Sequence, residues 1–431
     1  MTNPSMHHVV KSDGIFHGLP TYPDNLEGLT AIVTGTNGIS GHHLLEVLAK
    51  SPRRWSKIYS LSRRPPASGS LPPNAEHLAL DFLESPEAIS KVLKERGVHA
   101  DYVFFFSYIQ VAPKDGAALW SNAQEMCRVN GNLLKNFLDA LALSDIKPKR
   151  FILQTGAKYY GSHTGPLKVP QEEWDPRVLL EPNFYYDQED ILWDYHKRSS
   201  VEWGIVMPAA ILGAVPDAAM NLCFPLAIYA NVCAYLNEPF AFPGDIKAFQ
   251  NPMSHSSAIL NAHYEEWAAL SEGAKNQRLN CCDGSAFTYE SLWPKIAGWY
   301  GIPWKGPEEE GLTEVEWGYY PTPRGYGPKG KLHFKFSLTK WAKRKEVQQA
   351  WVELAAKHGL VYKEIQDIDR NFGFLDWALC QSEPFVMSMD KSRKRGWFGF
   401  ADSCESILKV FDGFTDLKMI PAVPKKKVAF L

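Results

Sequence analysis

Three glycines spaced three residues apart, set between an apolar run and a helical stretch, constrain this chain more than any other feature. Leu29-Thr30-Ala31-Ile32-Val33-Thr34 is a continuous apolar run bounded by glycine, which predicts a buried strand. Gly35-Thr36-Asn37-Gly38-Ile39-Ser40-Gly41 follows, and Leu44, Leu45, Val47 and Leu48 then recur at helical spacing within His42 to Ala49. In that strand–loop–helix context the first glycine permits a tight turn. The second lets backbone N–H groups approach a pyrophosphate at the helix N-terminus, and the third lets helix pack on strand. An ordinary strand-to-helix turn is the competing reading.

The rest of the chain repeats the alternation. Lys57–Leu61, Glu76–Leu80, Tyr102–Phe106, Arg150–Thr155 and Trp203–Met207 read as strands, and Glu84–Arg96, Asn122–Leu143 and Tyr185–Ser199 as helices. Strands alternating with helices mean parallel pairing through crossovers, hence an α/β, Rossmann-type doubly wound parallel sheet. After Pro208 the alternation stops. Met220–Leu236 is helical, Phe240–Gly244 a turn, Ser256–Leu270 a helix and Arg278–Cys281 a return strand. Pro303–Gly330 reads as a loop-rich insert with Glu308-Glu309-Glu310 solvated, and the pattern is helical again from Leu338. The expected organisation is an N-terminal arm over 1–26 and a dinucleotide-binding Rossmann domain over 27–215. That domain takes a return strand from 278–282, and a mainly helical substrate-binding region covers 216–431.

Charge and cysteine content exclude several classes. With 46 Lys and Arg against 48 Asp and Glu, no global field draws the chain to nucleic acid or to an anionic membrane. Seven cysteines, with only Cys281 and Cys282 close together, give neither a disulfide framework nor a zinc spacing. No metal site is expected. Met1 to Asp24 is polar, unlike a secretory signal, and Met220–Leu236, broken by Pro225 and Asn231, falls short of a bilayer span. The expectation is a cytoplasmic protein without a membrane span, and a homodimer is compatible with it. Aromatic residues make up 13% of the chain, which fits deep packing or a large apolar pocket.

Which dinucleotide the loop would take follows from the end of the second strand. An NAD site places a carboxylate there for the ribose 2′-hydroxyl; this chain has Ser62-Arg63-Arg64, two guanidinium groups that suit a 2′-phosphate. Asp81, just after the third strand, is placed either to accept from an adenine amino group or to cap the next helix. The tyrosine–lysine pair that short-chain dehydrogenases carry four residues apart on one helix is absent. None of the 18 tyrosines has lysine four positions on, and Tyr185 and Tyr186 have Glu189 and Asp190 there. A lysine does stand at Lys158, after the fifth strand, where it reads on its own as a surface residue.

Taken together and in order, Gly35-x-x-Gly38-Ile39-x-Gly41, Ser62-Arg63-Arg64-Pro65, Gln154-Thr155-Gly156-x-Lys158-x-Tyr160 and Asn183-Phe184-Tyr185-Tyr186-x-x-Glu189-Asp190-Ile191-Leu192 resemble one family. It is the progesterone 5β-reductase / iridoid synthase-like enzymes, an atypical extended branch of the short-chain dehydrogenases. The resemblance continues through Phe242-Pro243-Gly244, Arg278-Leu279-Asn280-Cys281 and Asp390-Lys391-Ser392…Gly396-x-x-Gly399-Phe400, from about Leu29 to Pro421. It implies NADPH as cofactor, with Lys158 and Tyr186, the second of the tyrosine pair, as catalytic residues. It implies cofactor contacts at Gly35, Thr36, Asn37, Gly38, Ile39, Gly41, Arg63, Arg64, Asp81, Phe82, Ser107, Gln154, Tyr186 and Ile211. Tyr185 is read as a packing aromatic. The implied reaction is 1,4-reduction of the C=C bond of a small apolar enone or enal, terpenoid, steroid or polyketide-like. A phenol aimed at the carbonyl oxygen would stabilise the developing enolate, and an ammonium group at Lys158 would lower the phenol's pKa. Carbonyl reduction, or redox-neutral cyclase or isomerase chemistry, would use the same groups; a non-catalytic NADP sensor would need neither. Plant members carry Arg-Pro where this chain has Met207-Pro208, and Thr-Trp or similar where it has Ser107-Tyr108. Both changes fall near the nicotinamide, so the cofactor site carries over and the substrate does not.

Overall fold

Parallel strands require crossover connections and cover on both faces, and the order of elements supplies both. The computed structural model describes residues 9–67, 69–113, 121–218, 220–317 and 329–425. A hairpin, β1 (Val10–Asp13) and β2 (Phe16–Pro20), precedes β3 (Leu29–Thr34), α1 (Ile39–Ala49), β4 (Trp55–Ser62), β5 (Ala75–Ala79) and α2 (Pro86–Glu95). Then come β6 (Tyr102–Phe105), α3 (Ala123–Leu143), β7 (Arg150–Gln154), a 3-10 turn over Ala157–Tyr160, α4 (Phe184–Ser199) and β8 (Glu202–Pro208). The second half adds β9 (Ala210–Leu212), α5 (Cys223–Leu236), β10 (Phe240–Ala241), α6 (Ile246–Gln250), β11 (His255–Ser257), α7 (Ala258–Leu270) and β12 (Gln277–Cys281). It ends with α8 (Tyr289–Tyr300), β13 (Trp304–Lys305), the hairpin of β14 (Thr313–Trp317) and β15 (Gly330–Phe334), and five helices. These are α9 (Leu338–Ala342), α10 (Lys345–His358), α11 (Ile368–Cys380), α12 (Asp390–Lys394) and α13 (Ser403–Asp416).

Seven strands form one parallel sheet in the order β5-β4-β3-β6-β7-β8-β12. Chain order reverses between β3 and β6, and at such a switch point the carboxyl ends of the strands open a crevice for a ligand. Helices α2, α3 and α4 pack side by side in one layer, and α1 against α7 in another. Between them Trp55, Phe104, Phe105, Phe137 and Phe151 are fully buried. Phe82, Phe105 and Phe151 all pack on Phe137, with ring centroids 4.7 to 6.4 Å apart. Each such ring contributes about 1.5–3 kcal/mol of burial, and the core needs no polar group to reach it.

A second apolar cluster is built around α5, buried without interruption from Cys223 to Cys233, as a helix apolar on all sides must be. Phe240 stacks on Trp293 at 4.3 Å, and Tyr229, Phe242, Trp341 and Trp351 complete it. No helix among the described residues is long and apolar enough to cross a membrane.

Two segments differ from the sequence-based expectation. The described part of the N-terminal arm is the β1–β2 hairpin, docked by paired backbone bonds between His17 and Phe400 and by a Lys50–Asp13 ion pair at 2.6 Å. The Pro303–Gly330 insert is partly ordered. Thr313–Trp317 pairs antiparallel with Gly330–Phe334, and Lys331–Glu314 and Lys329–Glu316 pair across the strands. The alternation Thr-Glu-Val-Glu-Trp is a strand signature that the surrounding prolines and glycines obscure. Residues 318–328, and the tail lysines 426 and 427, lie outside the described residues.

One polar group strains this packing. Glu265 on α7 is fully buried, and neither carboxylate oxygen has a hydrogen-bond partner among the described residues. Burial pushes its pKa well above the carboxylate range, so the folded state holds it as a neutral acid. A raised folded pKa costs nothing below the unfolded value; the penalty grows as pH rises from the unfolded pKa toward the folded one and levels off above it. Glu265→Gln is therefore expected to raise unfolding free energy by about 1–3 kcal/mol at about pH 8, and by less at about pH 5. Denaturant midpoints at the two pH values check this; an equal or opposite effect would remove the assignment.

Candidate active site

The glycine loop forms the floor of the crevice. Gly35 has φ +64°, and a methyl group there would lie 2.9 Å from the Phe106 carbonyl. On Gly41 it would lie 2.6 Å from the Gly35 oxygen, so α1 packs on its own loop only because both positions lack a side chain. Gly38 caps α1 without a side-chain bond, and the first turn of α1 has no acidic residue. That leaves forward-pointing N–H groups at the positive end of an eleven-residue helix, an arrangement suited to a phosphate.

Side chains tie the loop to its neighbours. Ser60 Oγ donates to Thr36 Oγ1 at 2.8 Å, and Asn37 Nδ2 and Ser62 Oγ each donate to the Arg64 carbonyl at 2.7 Å. Both Arg63 and Arg64 are exposed, with no ion-pair partner for either guanidinium among the described residues. Asp81 does not cap α2: Ser85 does, accepting from Ala88 N, with Pro86 in the first turn. Asp81 instead turns the chain locally, Oδ1 accepting from Leu83 N at 3.0 Å. Phe82 is 3% exposed in the core, so only its backbone is available to a ligand.

At the carboxyl edge, Thr34 Oγ1 accepts from both Phe106 N (2.9 Å) and Ser107 N (3.2 Å), placing half-buried Ser107 beside Gly35. Gln154 ends β7 half-buried, its Oε1 without a hydrogen-bond partner among the described residues. Ile211 lies on β9, two residues before Gly213, which packs against Ile39 at the start of α1. The loop, Arg63–Arg64, Asp81, Ser107 and Gln154 stand at or just beyond the carboxyl ends of β3, β4, β5, β6 and β7, with Ile211 on β9, and their chemistry fits a nicotinamide dinucleotide.

The tyrosine pair departs from expectation. Tyr186 is buried, its hydroxyl donating to the Tyr159 carbonyl and accepting from Val178 N at 2.9 Å. Both hydrogen-bonding directions are used inside the protein, and burial, opposed by the Val178 N–H, pushes the phenol up to about 12. Tyr185 lies at the sheet edge. Its hydroxyl lies 3.3 Å from where a Gly156 side chain would begin, at the end of β7 and two residues before Lys158. Its ring packs on Phe184 at 4.4 Å, and Phe184 meets Tyr108 at 5.7 Å, forming an apolar wall with Met126 and Val111. Consecutive helical residues point about 100° apart, so the Tyr186 hydroxyl is bonded inside the protein while the Tyr185 hydroxyl reaches the sheet edge.

Lys158 sits half-buried on the 3-10 turn, Nζ 3.6 Å from Met220 Sδ. Burial pushes its pKa well below the usual lysine range, and Glu181 opposes that shift. Its carbonyl accepts from Asn183 Nδ2 at 2.9 Å, Asn183 being the N-cap of α4. Several residues here escaped the sequence reading. Glu189, four positions after Tyr185, is fully buried between Arg177 (3.0 Å) and Arg278 (3.3 Å). Arg278 also donates to Tyr159 Oη and to the Glu173 carbonyl. Buried Asn130 on α3 clamps Ile109 by two bonds, Oδ1 accepting from its N–H at 2.9 Å and Nδ2 donating to its carbonyl at 3.0 Å. His163 Nε2 lies 2.7 Å from Glu181 Oε1. Asn130, a polar residue inside the apolar run of α3, is the one that a local pattern marks; Glu189 and Arg278 are marked only by the motifs they stand in. A phenol and an amine at one sheet edge can together stabilise negative charge forming on a bound oxygen.

Comparison with known proteins agrees with this geometry. The chain is 31% identical to (S)-8-oxocitronellyl enol synthase of Catharanthus roseus over 91% of its length and 92% of that protein's. It is 30% identical to the 3-oxo-Delta(4,5)-steroid 5-beta-reductase of Arabidopsis thaliana over 91% and 93%. Among solved structures, the epimerase Mth375 from Methanothermobacter thermautotrophicus superposes with a TM-score of 0.58 over 91% of this chain and 93% of that one. At 17% identity this is a likeness of fold. Residues 31–321 match the model of the PRISE-like Rossmann-fold domain, and the chain belongs to that family of short-chain dehydrogenases.

Proposed function

We propose that this protein is an NADPH-dependent reductase that saturates the C=C bond of an apolar α,β-unsaturated carbonyl compound. The observation that carries the reading is the meeting of the Tyr185 phenol and the Lys158 turn at the carboxyl edge of β7, beside an apolar wall. When bound, NADPH supplies a hydride to the β-carbon of the acceptor. The protein's part is to hold the acceptor's carbonyl oxygen where charge develops. There the Tyr185 O–H donates to it, and the Lys158 ammonium group lowers the energy of that partial anion. Tyr108, Phe184 and Met126 exclude water from the opposite side. Tyr186 acts on the turn: by holding the Tyr159 carbonyl and Val178 N–H it fixes the residue next to Lys158. Arg63 and Arg64, exposed just after β4 and without an ion-pair partner among the described residues, would take the 2′-phosphate. The substrate-side wall includes residues after 215, since Met220 reaches Lys158.

The relatives' names support an oxidoreductase of conjugated carbonyl compounds, one being a reductase of a 3-oxo-Delta(4,5)-steroid and the other an enol synthase. Redox-neutral cyclisation or isomerisation is the second reading, because the same donor pair would serve an enol. NADPH consumption against cyclohexenone, an open terpenoid dialdehyde and progesterone separates the two. A gain of two hydrogens at the C=C bond supports reduction, and tight NADPH binding with product isomerised but no consumption supports the redox-neutral reading.

Two sets of variants test the residues. Tyr185→Phe should lower kcat at least ~100-fold with NADPH affinity within about twofold. Tyr186→Phe should lower kcat less than about tenfold while reducing stability by about 1–2 kcal/mol. The reverse ranking would return the donor role to Tyr186. Arg63→Ala and Arg64→Ala should each weaken NADPH binding about tenfold or more and leave NADH binding within about twofold, by calorimetry. Equal losses for both dinucleotides would remove the 2′-phosphate assignment.

A further inference from the structure

Two stretches singled out in the sequence, Lys158-x-Tyr160 and Arg278-Leu279-Asn280, meet where β12 faces the 3-10 turn, and of their side chains only the lysine enters the proposed reaction. Arg278 and Asn280 are two residues apart on β12, so their side chains leave the same face of the strand. Arg278 Nη1 donates to the Tyr159 hydroxyl, and Asn280 Oδ1 accepts from the Tyr160 hydroxyl at 2.6 Å. The two residues that follow Lys158 are thus each held at the ring tip by the return strand. The strand is itself tied down. Asn280 Nδ2 donates to the Gln171 and Ser388 carbonyls at 3.1 Å, and Lys391 Nζ to the Arg278 carbonyl at 2.7 Å. The Arg278 guanidinium also reaches α4, 3.3 Å from Glu189 Oε2, and lies 4.6 Å from the centre of the Tyr159 ring. Glu189 stands one helical turn after Tyr185. Arg177, its other partner at 3.0 Å, donates to the Tyr186 carbonyl at 3.3 Å.

We propose that Arg278 and Asn280 are positioning residues of the site: through the Tyr159 and Tyr160 hydroxyls they hold the turn that presents Lys158, while Glu189 locks Arg278 to the helix that presents Tyr185. That role rests on the reading of Lys158 and Tyr185 as the catalytic pair. A lysine stem is long and flexible, and a single 3-10 turn fixes its base weakly. The turn's own bonds are Tyr159 N to the Gly156 carbonyl at 2.9 Å and Gly161 N to the Lys158 carbonyl at 3.1 Å. Tyr159 and Tyr160 are buried, and a buried ring bonded at its tip cannot swing without breaking a hydrogen bond away from water. The planar fork of Arg278 serves the Tyr159 hydroxyl, Glu189 and the Glu173 carbonyl together, which the point charge of a lysine would not. Such precision matters because a misplacement of about 1 Å costs about a hundredfold in rate.

The Met220 methyl group reports where the amine lies, because Met220 Sδ is 3.6 Å from Lys158 Nζ. The protein is labelled with methionine carrying an isotope-labelled methyl group, and Met220→Leu identifies the NMR signal. Tyr159→Phe, Tyr160→Phe and Arg278→Lys are each expected to shift or split that signal in the free protein. Each should also lower kcat at least about tenfold, for the best acceptor among cyclohexenone, an open terpenoid dialdehyde and progesterone. KM for the acceptor and NADPH affinity should hold within about twofold, a split that general loosening of the fold would not give. The phenylalanine variants remove one oxygen each and keep the rings packed, so they decide the matter if Arg278→Lys does not fold. Tyr159→Phe combined with Arg278→Lys should be no worse than the worse single variant, since the arginine change already removes the bond. A signal unmoved in all three single variants, or losses that multiply in the double one, would overturn the proposal. Lys158→Met judges the reading beneath it. Full turnover there, or none in the parent, sinks the reading of the reaction and leaves the Met220 signal to decide whether β12 places the turn. If Lys158→Met is inactive, a shifted signal with kcat intact sinks the positioning role alone.

Discussion

Close approach of backbone to backbone at the carboxyl edge of the sheet is the constraint on which the site depends. Where strand order reverses between β3 and β6, two chains diverge and would leave N–H groups without ladder partners. One hydroxyl, Thr34 Oγ1, accepts two of them, from Phe106 and Ser107, and Gly35 leaves room for that loop to come down onto the crevice floor. The same loop meets β4 through Gly35 N to the Leu61 carbonyl at 2.9 Å and Asn37 to the Arg64 carbonyl. Phosphate-side donors and the Arg63–Arg64 pair are therefore held on one rigid frame, and a side chain at position 35 or 41 would separate them.

A lysine carried on the turn after β7, and not on α4, depends on tertiary contacts for its place, and the polar network around Tyr159 supplies them. In the helix-borne arrangement the lysine would stand four residues after the tyrosine; from Tyr185 that position is Glu189, buried between Arg177 and Arg278. A buried carboxylate between two guanidinium groups is costly to break because removing either partner leaves charge uncompensated. Here it holds α4 to β12 and to the segment carrying Arg177, which also lies over the rings of Tyr186 and Trp193. Arg278 and Tyr186 both end on Tyr159, one on its hydroxyl and the other on its carbonyl. A turn has no helical ladder to keep a side chain in place, and these bonds substitute for one.

What could be read from the chain follows from how local each signal is. Leu29–Thr34 is observed as read, and the strand beginning at Arg150 ends one residue early, because continuous apolar runs report buried strands directly. Ser85-Pro86 is a stronger helix start than Asp81, and its role as the cap was legible though not chosen. The two hairpins were missed because one is short and the other flanks a proline- and glycine-rich stretch. Tyr185 and Tyr186 could not be told apart: Asn183 sets where α4 begins, but the rotation of the helix is set by Arg177, Tyr159 and Val178, distant or unremarkable in sequence. Glu181 with His163, and Glu189 with Arg278, are pairs made by tertiary structure alone.

The aromatic content offered two readings, packing or pocket, and most of it goes to packing. Trp55, Trp293, Trp351 and Trp397 are fully buried in the two cores, and the wall at the site is made by Tyr108, Phe184 and Tyr185 with Met126. An apolar wall discriminates weakly, about 1–3 kcal/mol per methylene, whereas an unmatched buried polar group discriminates by far more. Under the proposed function, selection between acceptors of similar bulk would then fall to the few polar groups at this edge, Tyr185 and Lys158. Such a site would tolerate variation in the hydrocarbon and be strict about the carbonyl.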